Sequence, residues 1–84
     1  MKYHLKIITR AEKDLDVLGS HDFDVIKRKV LSLSENPRPF GCKKLTADEG
    51  YRIRSGDFRI LYRIDDHAKD VIVYRVKHRK EVYR

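Results

Sequence analysis

Tyr51-Arg52-Ile53-Arg54-Ser55-Gly56-Asp57-Phe58-Arg59-Ile60-Leu61-Tyr62-Arg63-Ile64 is the stretch that decides the fold. Its side chains alternate with period two, and successive side chains of a strand point to opposite faces of a sheet. Tyr51 and Ile53 belong to one face together with Phe58, Ile60, Tyr62 and Ile64. Arg52 and Arg54 point the other way, as do Arg59 and Arg63. Ser55-Gly56-Asp57 reads as a three-residue, glycine-containing hairpin connection. Hydrogen-bonded strands lie ~5 Å apart, so the hairpin gathers several guanidinium groups on a small patch of sheet. Like charges crowded in this way repel unless an anion sits among them. A solvated outer face would show the same alternation, and the crowding of like charge is what points to an anionic ligand.

Working outward, Asp65 to Asp70 turns the chain, and Val71 to Val76 forms a last strand that is β-branched and apolar on both sides. The faces of Val71, Val73 and Arg75 stay ambiguous. Upstream, residues 34–42 (Ser-Glu-Asn-Pro-Arg-Pro-Phe-Gly-Cys) are loop by composition. Lys43-Lys44-Leu45 starts a short strand. Phe23, Ile26, Val30 and Leu33 keep a 3,4,3 spacing that makes one apolar helix stripe, with Lys27, Arg28 and Lys29 on the solvated side. Ser20 to Asp22 supply the cap of that helix, and Pro37 bars helical geometry at Asn36. Ala11, Leu15 and Leu18 mark an earlier helix, opened by a Thr9–Glu12 capping box and stopped by Gly19. Tyr3, Leu5 and Ile7 alternate as a half-buried first strand. The expected architecture is a two-layer α+β fold of order βααβββ. It has an antiparallel sheet with a helical hairpin packed on one face, in a single domain spanning residues 1–84.

Composition sets the partner class. Lys and Arg total 20 against 13 Asp and Glu, a net charge of +7. Residues 1–42 carry 8 basic and 6 acidic side chains, and residues 43–84 carry 12 and 7, so the excess lies with the arginine strands. Such a balance suits a polyanion: nucleic acid, an anionic membrane surface or an acidic protein. No apolar run approaches the ~18 residues of a membrane helix, and no secretory signal is visible. Cys42 is the only cysteine, so no internal disulfide forms. These features together favour the cytoplasm. His4, His21, His67 and His78 are scattered and no carboxylate pair accompanies them, so neither a metal site nor a cofactor is expected.

The segment Lys77-His78-Arg79-Lys80-Glu81-Val82-Tyr83-Arg84 leaves the last strand and can fold back over the sheet edge. Its histidine and tyrosine are potential proton carriers. A frayed basic tail would have the same composition.

The ordered set of features resembles the RelE/ParE toxin superfamily over essentially the whole chain: the element order, Asn-Pro after the second helix, Lys-Lys-Leu, the tract 51–64, and the closing His-Arg-Lys-Glu-Val-Tyr-Arg. The resemblance implies a small sheet with a helical hairpin on one face. Its RelE branch implies the toxin of a type II toxin–antitoxin system, an endoribonuclease that cuts messenger RNA in the ribosomal decoding site. Cleavage proceeds by attack of the ribose 2′-OH on the adjacent phosphate, without a metal. By the same resemblance Arg52, Arg54, Arg59, Arg79 and Tyr83 are the catalytic set. Arg59 and Arg79 suit the phosphorane, Arg52 and Arg54 tune the pKa of Tyr83, and Tyr83 is the first candidate base. Lys43, Lys44, Arg63 and His78 are assigned to RNA contact, with His78 a rival base. The implied partners are the ribosome, mRNA and a RelB-like antitoxin, acidic where it binds and partly disordered when free, in a hetero-oligomer. The ParE branch shares the fold and poisons DNA gyrase, and is the alternative. A non-catalytic RNA-binding module is a third reading.

Overall fold

The computed structural model describes residues 2–45 and 50–82, with only the backbone of Glu81 and Val82. The elements are β1 (His4–Ile7), α1 (Thr9–Asp16), α2 (Ser20–Ser32), β2 (Lys43–Lys44), β3 (Tyr51–Ser55), β4 (Phe58–Asp65), β5 (Asp70–His78) and the short α3 (Arg79–Val82). They build one five-stranded sheet in the order β1-β5-β4-β3-β2.

The ladders β2–β3, β3–β4 and β4–β5 are antiparallel. The last three strands are antiparallel as expected, while β1 pairs with β5 in parallel, from His4 opposite Asp70 to Ile7 opposite Val73, so the sheet as a whole is mixed. Alternation reports which side chains share a face and carries no information on strand direction. A parallel neighbour requires a long crossover, and here the crossover is the rest of the molecule.

Cross-strand rows carry the core. Ile53, Ile60 and Val76 lie opposite one another, as do Tyr62 and Val73, and all five are buried. Ala11, Ile26, Val30 and Leu33 close the cluster from the helices, as their spacing required. Val73 and Val76 are three residues apart, so an unbroken strand would send them to opposite faces. A register shift resolves this: Tyr74 and Arg75 occupy the length that β4 spans with Leu61 alone. The bulge settles Val71 and Val73 on the helix side, and it reverses the phase of every residue after it.

Beyond Val73 the parallel ladder ends, and β5 would present unpaired backbone at its edge. Asp14 of α1 fills that position. Its carboxylate accepts from the Val76 N–H at 2.9 Å and from Arg75 Nε at 2.8 Å. Side-chain contacts hold the loop 34–42. The buried Tyr62 hydroxyl donates to the Pro37 carbonyl at 2.8 Å, and burial pushes its pKa well above the usual tyrosine range. Arg38 forks onto Asp66 at 2.8 and 3.2 Å, and its Nε donates to the Tyr51 hydroxyl.

Local terminators differ from the expected ones. Ile8, not Thr9, is the N-cap of α1, and it makes no side-chain cap. The Ile8 N–H is still engaged by the Val73 carbonyl, so Thr9 enters as the first helical residue and the capping box is displaced. Gly19 sits at φ −66° as the N-cap of α2 rather than as a left-handed stop, and the Ser20 side chain is already inside the helix. The hairpin loop is two residues, because Ser55 pairs with Phe58. Gly56 takes φ +59°, as the first central position of a type II′ turn requires. No helix among the described residues is long and apolar enough to cross a membrane.

Candidate nucleic-acid interface

The register that builds the core also sorts the cations. Arg54 lies opposite Arg59, and Arg59 opposite Lys77, so three positive side chains form one row across the face away from the helices. The next row carries Lys43, Arg52 and Leu61. Arg63 follows further along β4, with its guanidinium 5.0 Å from the Tyr74 ring centroid. None of these residues is buried. Lys77 enters the row only because the bulge reversed the phase of β5.

Arg79 is brought to the same row by the hairpin turn. Its N–H donates to the Asp57 carbonyl at 2.7 Å, which extends the strand contact one residue past His78. Its guanidinium lies 3.9 Å from the Asp57 carboxylate, a loose and solvent-exposed approach. Arg54, Arg59 and Arg79, with Gly56, Asp57 and Phe58, line a cleft of about 50 Å³. A group of that size with acceptor oxygens on several sides, such as a phosphate, matches three converging guanidinium forks. A second cleft of about 340 Å³ continues past Arg54 toward β2, lined by Lys29, Phe40, Gly41, Lys43, Arg52, Ile53 and Arg54.

Two assigned residues fall elsewhere. His78 lies opposite Phe58, on the helix side, with the two rings edge-to-face at 5.2 Å. It lines a third cleft with His21, Asp22 and Val25, so it does not join the arginines. Its Nδ1 accepts the Lys80 N–H at 3.2 Å. Lys44 pairs with Tyr51 and by register belongs to the helix side, whereas Lys43 pairs with Arg52 and faces the patch. Tyr83 lies outside the described residues.

Three residues of this surface were not singled out from sequence. Asp57 read only as a turn residue, although an acidic residue beside a glycine turn could have suggested a carboxylate facing the tail. Lys77 was grouped with the tail. Phe40 read as loop. Away from the interface, Asp66 is held down to about 2, first by the Arg38 hydrogen bonds and then by the Tyr3 hydroxyl, and the same pair raises Arg38.

Comparison with known proteins places this geometry. A family model described as the ParE toxin of the type II toxin–antitoxin system parDE matches residues 5–83. Toxin RelG of Mycobacterium tuberculosis is 34% identical over 86 residues, covering 100% of this chain and 99% of that protein. The mRNA interferase toxin RelE of Escherichia coli is 33% identical over 87 residues, covering 99% and 92%. Among solved structures, the toxin–antitoxin complex RelBE2 of Mycobacterium tuberculosis matches with a TM-score of 0.82 at 31% identity, over 93% of this chain and 99% of that one.

Proposed function

The chain belongs to the ParE toxin family of type II toxin–antitoxin systems, within the RelE/ParE superfamily, and from that premise we propose that it is an mRNA endoribonuclease toxin that works on the ribosome. The observation that carries this reading is the convergence of Arg54, Arg59 and Arg79 on one small cleft. The full-length likeness to a protein named an mRNA interferase supports it.

In the proposed reaction the ribose 2′-oxygen attacks the adjacent phosphorus and the bond to the 5′-oxygen breaks. The products are a 2′,3′-cyclic phosphate and a 5′-OH end. The proton of the 2′-OH passes to a base, and the departing oxygen takes one up. Arg54, Arg59 and Arg79 hold the non-bridging oxygens, whose charge rises in the transition state, and a preorganised donor is worth most at that point. These fixed cations supply the charge stabilisation that a metal ion would otherwise provide, so the reaction is metal-independent. Arg52 adds positive potential beside them, which favours the deprotonated form of a base acting there. Tyr83 is the proposed base. Lys43 and Arg63 grip flanking phosphates, and an acidic antitoxin neutralises the same face.

The family model is described as a ParE toxin, and the ParE branch implies a second reading, a DNA gyrase poison on this fold. One experiment separates the two and tests the chemistry. Purified chain is added to a transcript with and without ribosomes, and the new ends are typed. The expected result is ribosome-dependent cleavage that leaves cyclic phosphate and 5′-OH ends. A 5′-phosphate product contradicts the 2′-OH mechanism, and an intact transcript alongside broken supercoiled DNA in the presence of gyrase supports the second reading.

A further inference from the structure

Phe40 is 93% exposed, the most exposed large apolar side chain among the described residues. Burial of apolar area is the main gain available to a ring of this size, and this one makes almost none within the chain. It stands on the rim of the 340 Å³ cleft, whose other walls carry Lys29 from α2, Lys43 from β2, and Arg52 and Arg54 from β3. A volume of that order lies within the ~300–1,000 Å³ of small-molecule sites. No acidic side chain among the described residues lines it.

The loop holds its position through contacts that do not involve the ring. Pro37 accepts from the buried Tyr62, and Arg38 is forked onto Asp66. On the other side, Cys42 N–H donates to the Pro39 carbonyl, closing the turn that carries Phe40 and Gly41. The ring is therefore presented outward by a braced turn, beside a set of cations. An aromatic platform interleaved with phosphate-binding cations is the arrangement by which proteins hold single-stranded nucleic acid: bases stack, and the backbone follows the charge.

Arg54 also lines the smaller cleft with Arg59 and Arg79. The two clefts thus share a wall, and a strand whose phosphate sits in the smaller can place a neighbouring nucleotide in the larger. We propose that the cleft between the 37–42 loop and the β2–β3 edge is a nucleotide subsite, in which Phe40 stacks on a base flanking the cut phosphate while Lys29 and Lys43 hold its backbone. This rests on the reading of the arginine face as an RNA site and adds to it a residue that holds a flanking base by stacking.

The test reads binding apart from cleavage. A short 2′-O-methyl oligoribonucleotide, which cannot be cut, carries 2-aminopurine at each position in turn and is titrated with the purified chain. Stacking quenches the fluorophore, so the parent should quench one position most strongly. Phe40→Ala should abolish that quenching and weaken affinity roughly ten-fold. Phe40→Trp should retain both, and the thermal midpoint of each variant should match the parent because the ring is exposed. Lys29→Ala with Lys43→Ala should weaken affinity while leaving the quenched position unchanged. Equal affinity and quenching for parent and Phe40→Ala, or no quenching by the parent at any position, would overturn the subsite. The same outcome accompanied by lost binding of the antitoxin would assign Phe40 to the protein interface instead. The ribosomal cleavage assay reports on the nuclease separately: cleavage by the parent with unaltered RNA binding in Phe40→Ala sinks the subsite alone.

Discussion

At the scale of the residue, alternation decides which few side chains form the cationic face. Arg52, Arg54, Arg59 and Arg63 were assigned to one face by counting in twos, and the ladder between β3 and β4 has that pairing. Arg54→Ala and Arg79→Ala should each lower the cleavage rate by ~10²–10³. Both side chains are exposed, so neither change leaves a core cavity, and melting curves should stay close to the parent's. Tyr83→Phe separates two uses of one ring. If the hydroxyl moves a proton, Phe and Ala should lose rate alike; if the ring only stacks, Phe should keep most of the activity. His78 takes its face for a reason that counting in twos cannot detect. One extra residue in β5 turns it and Lys77 over, and nothing in Val-Ile-Val-Tyr-Arg-Val marks where the extra residue lies.

At the scale of the element, edges and turns hold the sheet in the shape the site needs. Asp14 satisfies backbone that β1 is too short to reach. Asp14→Ala leaves the Val76 N–H without its acceptor, at a cost of ~1–3 kcal/mol. A loss of that order lowers the thermal midpoint of a domain this size by at least ~4 °C. Gly50 is a second control point. It adopts φ +129°, and a Cβ there would lie 2.7 Å from the Tyr62 carbonyl oxygen, so Gly50→Ala should destabilise through both strain and clash. The Arg38–Asp66 clasp makes a pH prediction. Asp66 is held at about 2, below its ordinary value, so its contribution is complete above about 4 and is lost as pH falls toward 2. Unfolding curves of parent and Asp66→Asn should therefore differ at neutral pH and converge as pH drops through that window. Helix stripes were legible because burial dictates them, and Ala11, Ile26, Val30 and Leu33 are all in the core. Helix starts were not. The β1 ladder runs on to Ile8, and that tertiary contact overrode the capping box at Thr9.

At the scale of the whole molecule, one layer of helices leaves one sheet face open, and in a chain of net charge +7 that face carries the row Arg54, Arg59 and Lys77 beside Arg52 and Lys43. The element order and the family were readable from sequence because each segment's period agreed with its neighbours'. The parallel pairing of β1 was not, since it depends on where the chain returns after the helices have crossed. A cationic face of this kind makes RNA affinity fall linearly with the logarithm of salt concentration. The slope should shrink when Arg54 or Lys43 is replaced by alanine. An acidic antitoxin should compete with RNA for the same surface, and the competition should weaken in high salt. The most direct test of the central claim is primer extension on a translated transcript after brief induction of the chain, with chromosomal DNA integrity followed in the same cells. The expected result is new, discrete transcript ends within the reading frame, on intact DNA, and their loss in the Arg54→Ala, Arg79→Ala double variant. Intact transcripts with double-strand DNA breaks, or undiminished cleavage by that double variant, would contradict it.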